Sequence, residues 1–243
     1  MFRMGSLYRT ENAMGPIERD IIRLASAVPD EETCGFVLND GMVVATTNQA
    51  ANPREEFEIG PVAFAHYEGR IGAIWHSHPG GEPIFSPADV RSCKALGIPW
   101  ILYHVPTGIF RTADPTGNTP YVGRDWVYGL NDCFGLVTDW LRKEIGFDFP
   151  DVDRYDDKPE PSYQILENFP PLMRASGLVE VDGPPRYGDV LFMRINGPLP
   201  NHCAVMVNPQ TNRILHHLKD RLSETDFYGS YWRKVTESIW RVA

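Results

Sequence analysis

Two groups of residues in this 243-residue chain have the types and spacing for bond-breaking chemistry. The first is His76-Ser77-His78, followed by Ser86 and Asp89, with Glu32 upstream. On a strand alternate side chains share a face, so His76 and His78 point the same way, about 7 Å apart along the backbone. Asp89 returns across the loop 79–85 from the first turn of a helix. That helix start is written in Ser86-Pro87-Ala88-Asp89: a serine cap, proline at the first position and an acid at the third. Two imidazoles and a carboxylate leave the fourth position of a tetrahedral zinc ion open for water, whose pKa then falls toward about 7. Glu32, at the mouth of an early strand, is the candidate general base, and Ser86 the candidate donor to a developing oxyanion. Each piece has a plainer meaning alone: a chance pair on a strand, a capped helix, a surface acid. The combination is what is specific.

The second group is Cys133, His202 and His216. Cys133 starts a helix behind the capping pair Asn131-Asp132, and the positive end of a helix favours thiolate over thiol. An imidazole nearby completes a nucleophile. His202 opens one strand, and His216 falls on the next strand across a hairpin, where it can orient His202 as the third member of a triad. His216 and His217 are adjacent and face opposite ways, so only one of them reaches the site. Cys133 taken alone reads more readily as a buried helix residue. Cys203 should point away from His202 into the core, and Cys34 and Cys93 also read as core thiols. With no CxxC pair, the four cysteines do not form a disulfide framework.

The elements that position these residues follow from periodicity. Ile17, Ile21, Ile22, Leu24 and Ala25 give an amphipathic helix over roughly 16–27. Cys34 to Leu38 and Met42 to Thr46 form a hairpin around Asn39-Asp40-Gly41. Pro61 to Arg70 is a helix, Ile71 to His78 a buried strand, and Trp100 to Val105 and Ile109 to Thr112 are further strands. The stretch from Ala113 to Pro120 is turn and linker chemistry. Beyond it, Cys133 to Ile145 is a helix, residues 148–160 are an acidic surface loop, and Asp189 to Ile195, His202 to Val207 and Arg213 to Leu218 are strands. The domains are therefore 15–115 and 121–243, joined by 116–120, with 1–14 a loose leader in which Met14 is a candidate start. The fold class is α+β, each half a small sheet packed with helices.

Composition sets the outer limits. Acids outnumber Lys and Arg, for a net charge of −9, which argues against non-specific nucleic-acid binding. No apolar run approaches the roughly 20 residues that cross a bilayer. The first fifteen residues have no apolar core of the signal-peptide kind.

The motifs resemble two known families. HSHPGGEPIFSPAD fits the H-x-H-P-x6-S-x2-D signature of the JAMM (Mov34/MPN/PAD-1, JAB) metallopeptidases, and Glu32-x-Cys34-Gly35 matches their upstream glutamate segment. That resemblance, over about 15–115, implies a mixed sheet flanked by helices, with zinc on His76, His78 and Asp89, Glu32 as base and Ser86 as oxyanion stabiliser. Tyr121-Val-Gly-Arg and the stretch from Gly129 to Val137 resemble the start of NlpC-type cell-wall cysteine peptidases. YGDVLFM, NHCAVMV and RILHHL are similar to their later elements, in order. The chain departs at Phe134, where Ser is usual, at Ala204 in place of Gly, and in a longer hairpin before His216. This second resemblance implies a papain-like domain over about 119–243, with 147–186 poorly matched. It places His216 third in the triad, makes Tyr121 a residue lining the site, and implies peptidoglycan stem peptides as substrate, often cut between D-glutamate and diaminopimelate. The order of the two domains resembles the tail assembly protein K family of lambda-like phages. The expected partners are phage tail-tip proteins, with the enzyme carried to the host envelope in the virion and the metal domain trimming a tail protein. The competing expectation is a structural tail-tip component whose sites are shielded or idle.

Overall fold

Proline at its first position and isoleucines at helical spacing form α1 (Pro16–Ala25), which buries Ile21 and Ala25. The computed structural model describes residues 14–150, 154 and 169–243; the expected leader thus lies almost wholly outside the described residues. The chain folds as two units, the first ending at Thr116 and the second beginning at Gly117.

In the first unit β1 (Cys34–Leu38) and β2 (Val43–Thr46) form the expected hairpin. Gly41 takes the left-handed conformation in its turn (φ 86°), and the Asp40 carboxylate accepts the Met42 N–H. Gly35 is needed for packing: a Cβ there would run into the Val44 carbonyl of β2. The helix expected over 61–70 closes early as α2 (Pro61–His66). The central strand β3 (Ile71–His78) pairs antiparallel with β1 and parallel with β4 (Trp100–His104), and β5 (Ile109–Ala113) closes the far edge. The sheet order is β2-β1-β3-β4-β5. A parallel neighbour requires a crossover, supplied by α3 (Pro87–Leu96), which ends on left-handed Gly97.

Alternation along β3 decides the chemistry of this unit. Ala73 and Trp75 join the cluster under α1, with Ile21, Val37 and Tyr103. His76 therefore leaves by the other face, where its ring stacks on Phe57 at 4.4 Å between centroids and meets Phe85 and Trp100.

The second unit is built on α4 (Cys133–Trp140), continued by a π-helical turn (Leu141–Ile145) that ends on left-handed Gly146. After it come α5 (Phe169–Ala175), β6 (Leu178–Glu180), β7 (Val190–Met193), β8 (His202–Asn208) and β9 (Arg213–His216). The chain closes with β10 (Glu224–Phe227), α6 (Ser230–Val235) and β11 (Thr236–Val242). The six strands form one antiparallel sheet in the order β10-β9-β8-β7-β11-β6. One face packs on α4 and α5 through Phe134, Leu136, Val137, Phe169, Phe192 and Trp240. The other packs Leu191, Met193, Ala204 and Met206 on Tyr228 and Trp232.

Both units are mixtures of helix and sheet, so the α+β class holds. The sequence pattern does not announce α5, β6, β10, α6 and β11. Glu-Thr-Asp-Phe in β10 lacks an apolar face, and β6 is only three residues long, so periodicity has little to act on. Residues 148–160 are expected on the surface, yet Arg154 is buried; 151–153 and 155–160 lie outside the described residues. Among the described residues no helix is long and apolar enough to cross a membrane.

Candidate active sites

At the end of β3 the two imidazoles turn toward each other, His76 Nε2 and His78 Nε2 lying 3.2 Å apart. Glu32, brought in just before β1, places Oε1 3.6 Å from His78 Nε2. Ligand atoms of Glu32, His76 and His78 all lie within 4.8 Å of one another. Asp89, from α3, sets Oδ2 3.6 Å from His76 Nε2, though it stands outside that tighter group. The same oxygen accepts the Ser86 N–H at 2.7 Å, while Ser86 Oγ accepts the Asp89 N–H at 3.1 Å. This is a complete capping box. It fixes the Asp89 carboxylate and leaves the Ser86 hydroxyl hydrogen for another acceptor. Glu32, His78, Ser86 and Asp89 line one cavity of about 840 Å³.

Burial governs the charges here. It pushes the Glu32 carboxyl up to about 7, with the His76 imidazole opposing the rise. Burial also pushes His78 down to about 4, helped by the neighbouring His76, so His78 is neutral at pH 7 and keeps a lone pair. For Asp89, burial works upward, but the His76 imidazole and the Ser86 hydrogen bonds outweigh it and hold the carboxyl at about 2. The donor set suits a metal cation. Ligand atoms about 2.0–2.1 Å from a tetrahedral ion sit roughly 3.4 Å from one another; the His76–His78 pair lies at 3.2 Å and the His76–Asp89 pair at 3.6 Å, while the group that closes within 4.8 Å is Glu32, His76 and His78. Two facing imidazole nitrogens can share only one proton between them, whereas a cation satisfies both.

In the second unit Asp132 caps α4: Oδ1 accepts the Gly135 N–H at 2.9 Å and Oδ2 the Gly129 N–H at 2.8 Å. A Cβ at Gly135 would meet the Leu130 carbonyl, so this tight entry to the helix requires glycine. Cys133, the first helical residue, is half-buried. Its thiol is held well below the usual range, first by a hydrogen bond with Cys203, then by a hydrogen bond with His202 and the charge of that ring, which together outweigh burial. His202 Nε2 lies 3.2 Å from His216 Nδ1, which leaves His202 Nδ1 for the thiol. Burial, with His202 alongside, pushes His216 down to about 3. His217 turns to the opposite face, where its Nε2 donates to the Arg221 carbonyl at 2.9 Å. The structure thus brings His216, and not His217, to His202.

Three residues make contacts that the sequence pattern does not suggest. Tyr121 packs against the same apolar cluster as Cys133, but its hydroxyl donates to Glu144 at 2.9 Å, and burial, together with that carboxylate, pushes the phenol above its usual range. Cys203 is buried as expected, yet it also meets the Cys133 sulfur, because α4 packs across β8 and sets its first turn over the start of that strand. Arg154 falls in what reads as an acidic surface loop; its guanidinium is buried, 2.5 Å from Asp132 Oδ2 and over the rings of Phe134 and Tyr128. The available signal is a single arginine in the acidic run DFPDVDRYDD.

The family model described as NlpC/P60 family matches residues 121–241, and that described as prokaryotic homologs of the JAB domain matches 15–114. Tail tip assembly protein K of Escherichia phage lambda is 33% identical over 180 residues, covering 73% of this chain and 84% of that protein. Tail tip assembly protein K of Escherichia phage N15 is 34% identical over 227 residues, 91% of this chain and 92% of that one. The chain belongs to the tail tip assembly protein K family. Within that family it carries the two domains in the order in which the motifs occur along the sequence, and its NlpC/P60 domain belongs to a family of peptidases.

Proposed function

We propose that this protein acts at the phage tail tip as a peptidase with two centres. Its second unit hydrolyses the stem peptides of peptidoglycan at bonds of the D-glutamyl-diaminopimelate type. The observation that carries this reading is the line Cys133, His202, His216, in which one imidazole touches the thiol and is held from behind by another.

In this reading the Cys133 thiolate adds to the scissile carbonyl carbon, and His202 holds the proton that the thiol gave up. As the C–N bond breaks, His202 passes that proton to the leaving amine, and a thioester to Cys133 remains. Water then attacks the thioester, His202 taking its proton and returning it to the sulfur. His216 stays neutral and orients His202, since its own protonation requires strong acid. Tyr121 and the apolar residues around it form a wall beside the nucleophile.

The first unit is a zinc-dependent peptidase or isopeptidase, acting on a tail protein during assembly. His76, His78 and Asp89 would hold the ion; the chemistry it supplies is acidification of water and polarisation of a carbonyl. Glu32, with a carboxyl pushed to about 7, accepts and returns a proton near neutral pH. Ser86, its oxygen already engaged by the Asp89 N–H, donates its hydrogen toward the cavity.

The deciding experiment is hydrolysis of purified diaminopimelate-containing muropeptides by the wild-type chain and by Cys133→Ala. Cleavage by the wild type alone, with product masses that locate the bond, is the expected result. Cleavage by neither would favour a structural tail-tip component.

A further inference from the structure

Cys203 has no place in the reaction described above, yet it lies against the nucleophile. Cys133 opens α4, Cys203 is the second residue of β8, and α4 packs directly on β8. Both side chains belong to one apolar cluster with Phe134, Val137 and Val205. Burial, and the Cys133 sulfur beside it, push the Cys203 thiol well above the usual range. The two also differ in access, Cys133 being half-buried and Cys203 buried. The other two cysteines, Cys34 and Cys93, lie in the first unit.

We propose that Cys133 and Cys203 form a redox pair, in which Cys203 resolves oxidised Cys133 as a reversible disulfide that closes off the nucleophile. The oxidant is a peroxide reaching the half-buried sulfur. The Cys133 thiolate attacks one peroxide oxygen, the O–O bond breaks, and with a proton taken up the products are a sulfenic acid and water. The Cys203 sulfur then attacks the Cys133 sulfur, forming the S–S bond as the S–O bond breaks; the Cys203 proton leaves with hydroxide as a second water. In total two thiols lose two electrons and two protons to one peroxide. A thiol or phosphine reductant reverses the change. The buried Cys203 thiol does not meet peroxide first, and it stands where it can intercept the sulfenic acid before further oxygen is added.

The test treats the full chain with hydrogen peroxide, blocks remaining thiols and reads the intact mass and the peptide map. The expected wild-type result is loss of two hydrogens, a linked pair of peptides carrying Cys133 and Cys203, and full recovery of Cys133 alkylation after reduction. Cys203→Val, with Cys203→Ser as a second variant in case valine disturbs the core, should instead gain the mass of two or three oxygens on Cys133 and recover no alkylation. Absence of the linked peptides, or equal over-oxidation of wild type and variants, overturns the proposal. The proposal shares Cys133 with the peptidase reading but is measured without substrate. A chain that forms the link and cuts no muropeptide keeps the redox pair and loses the peptidase; a chain that cuts muropeptides and forms no link does the reverse.

Discussion

His202 Nε2 and His216 Nδ1 lie 3.2 Å apart on neighbouring strands, and this one approach distinguishes two adjacent histidines. β8 and β9 pair with Ala204 opposite His216, so His216 and His202 share a face, while His217 crosses to the other and bonds the Arg221 carbonyl. Replacing His216 by Ala should lower kcat for muropeptide cleavage by roughly a hundredfold, the scale of losing an oriented acid–base partner, and His216→Asn should restore part of it. His217→Ala should act mainly on the melting temperature, through a lost buried hydrogen bond. The reverse pattern in steady-state kinetics would sink this assignment.

The low-lying Cys133 thiol predicts how alkylation varies with pH. A depressed pKa moves the onset of thiolate to lower pH than in an ordinary cysteine, and thiolate is lost as pH falls through that lowered value. Labelling by iodoacetamide should therefore reach its plateau at lower pH than for a free thiol, and fade in acid. Cys34 and Cys93, pushed by burial to about 11 and about 12, should stay unlabelled at neutral pH. Peptide mapping after timed labelling reads both, and a Cys133 rate that rises at no lower pH than that of a free cysteine would contradict the prediction.

Arg154 and Asp132 form a buried ion pair at the helix start, 7% and 2% exposed by side chain. Removing one partner of such a pair strands the other charge and costs about 3–5 kcal/mol. Arg154→Ala should lower the unfolding free energy of the second unit, extrapolated from urea denaturation, by an amount of that order, with a lower midpoint, and slow Cys133 alkylation, because the cap that sets the helix start is loosened. An unchanged midpoint would show that the pair carries no stability.

The metal roles separate by substitution. Wild type purified with zinc should hold one equivalent by elemental analysis, His76→Ala, His78→Ala and Asp89→Ala should lose it, and Glu32→Gln should keep the metal while losing proton transfer. The close approach of Glu32 Oε1 to His78 Nε2 makes this informative. If Glu32→Gln strips the metal and Asp89→Ala does not, Glu32 is the ligand.

The local part of this protein is legible in the sequence. His76 and His78 share a face because strands alternate, and Ser86 and Asp89 form a capping box because helix starts need those groups. Asp132 before Cys133 marks a capped helix, and the apolar run of β3 has the limits that the strand shows. Each of these depends on neighbours a few residues away, where spacing alone sets geometry. Tertiary structure decides the rest. That Glu32 meets His78 depends on the pairing of β1 with β3. The choice of His216 over His217 depends on the register of β8 and β9. Arg154 reaches Asp132 across 22 residues, and Cys203 reaches Cys133 because α4 packs on β8. No periodicity encodes these meetings, since they exist only once burial of the apolar faces has fixed how helices and sheet stack.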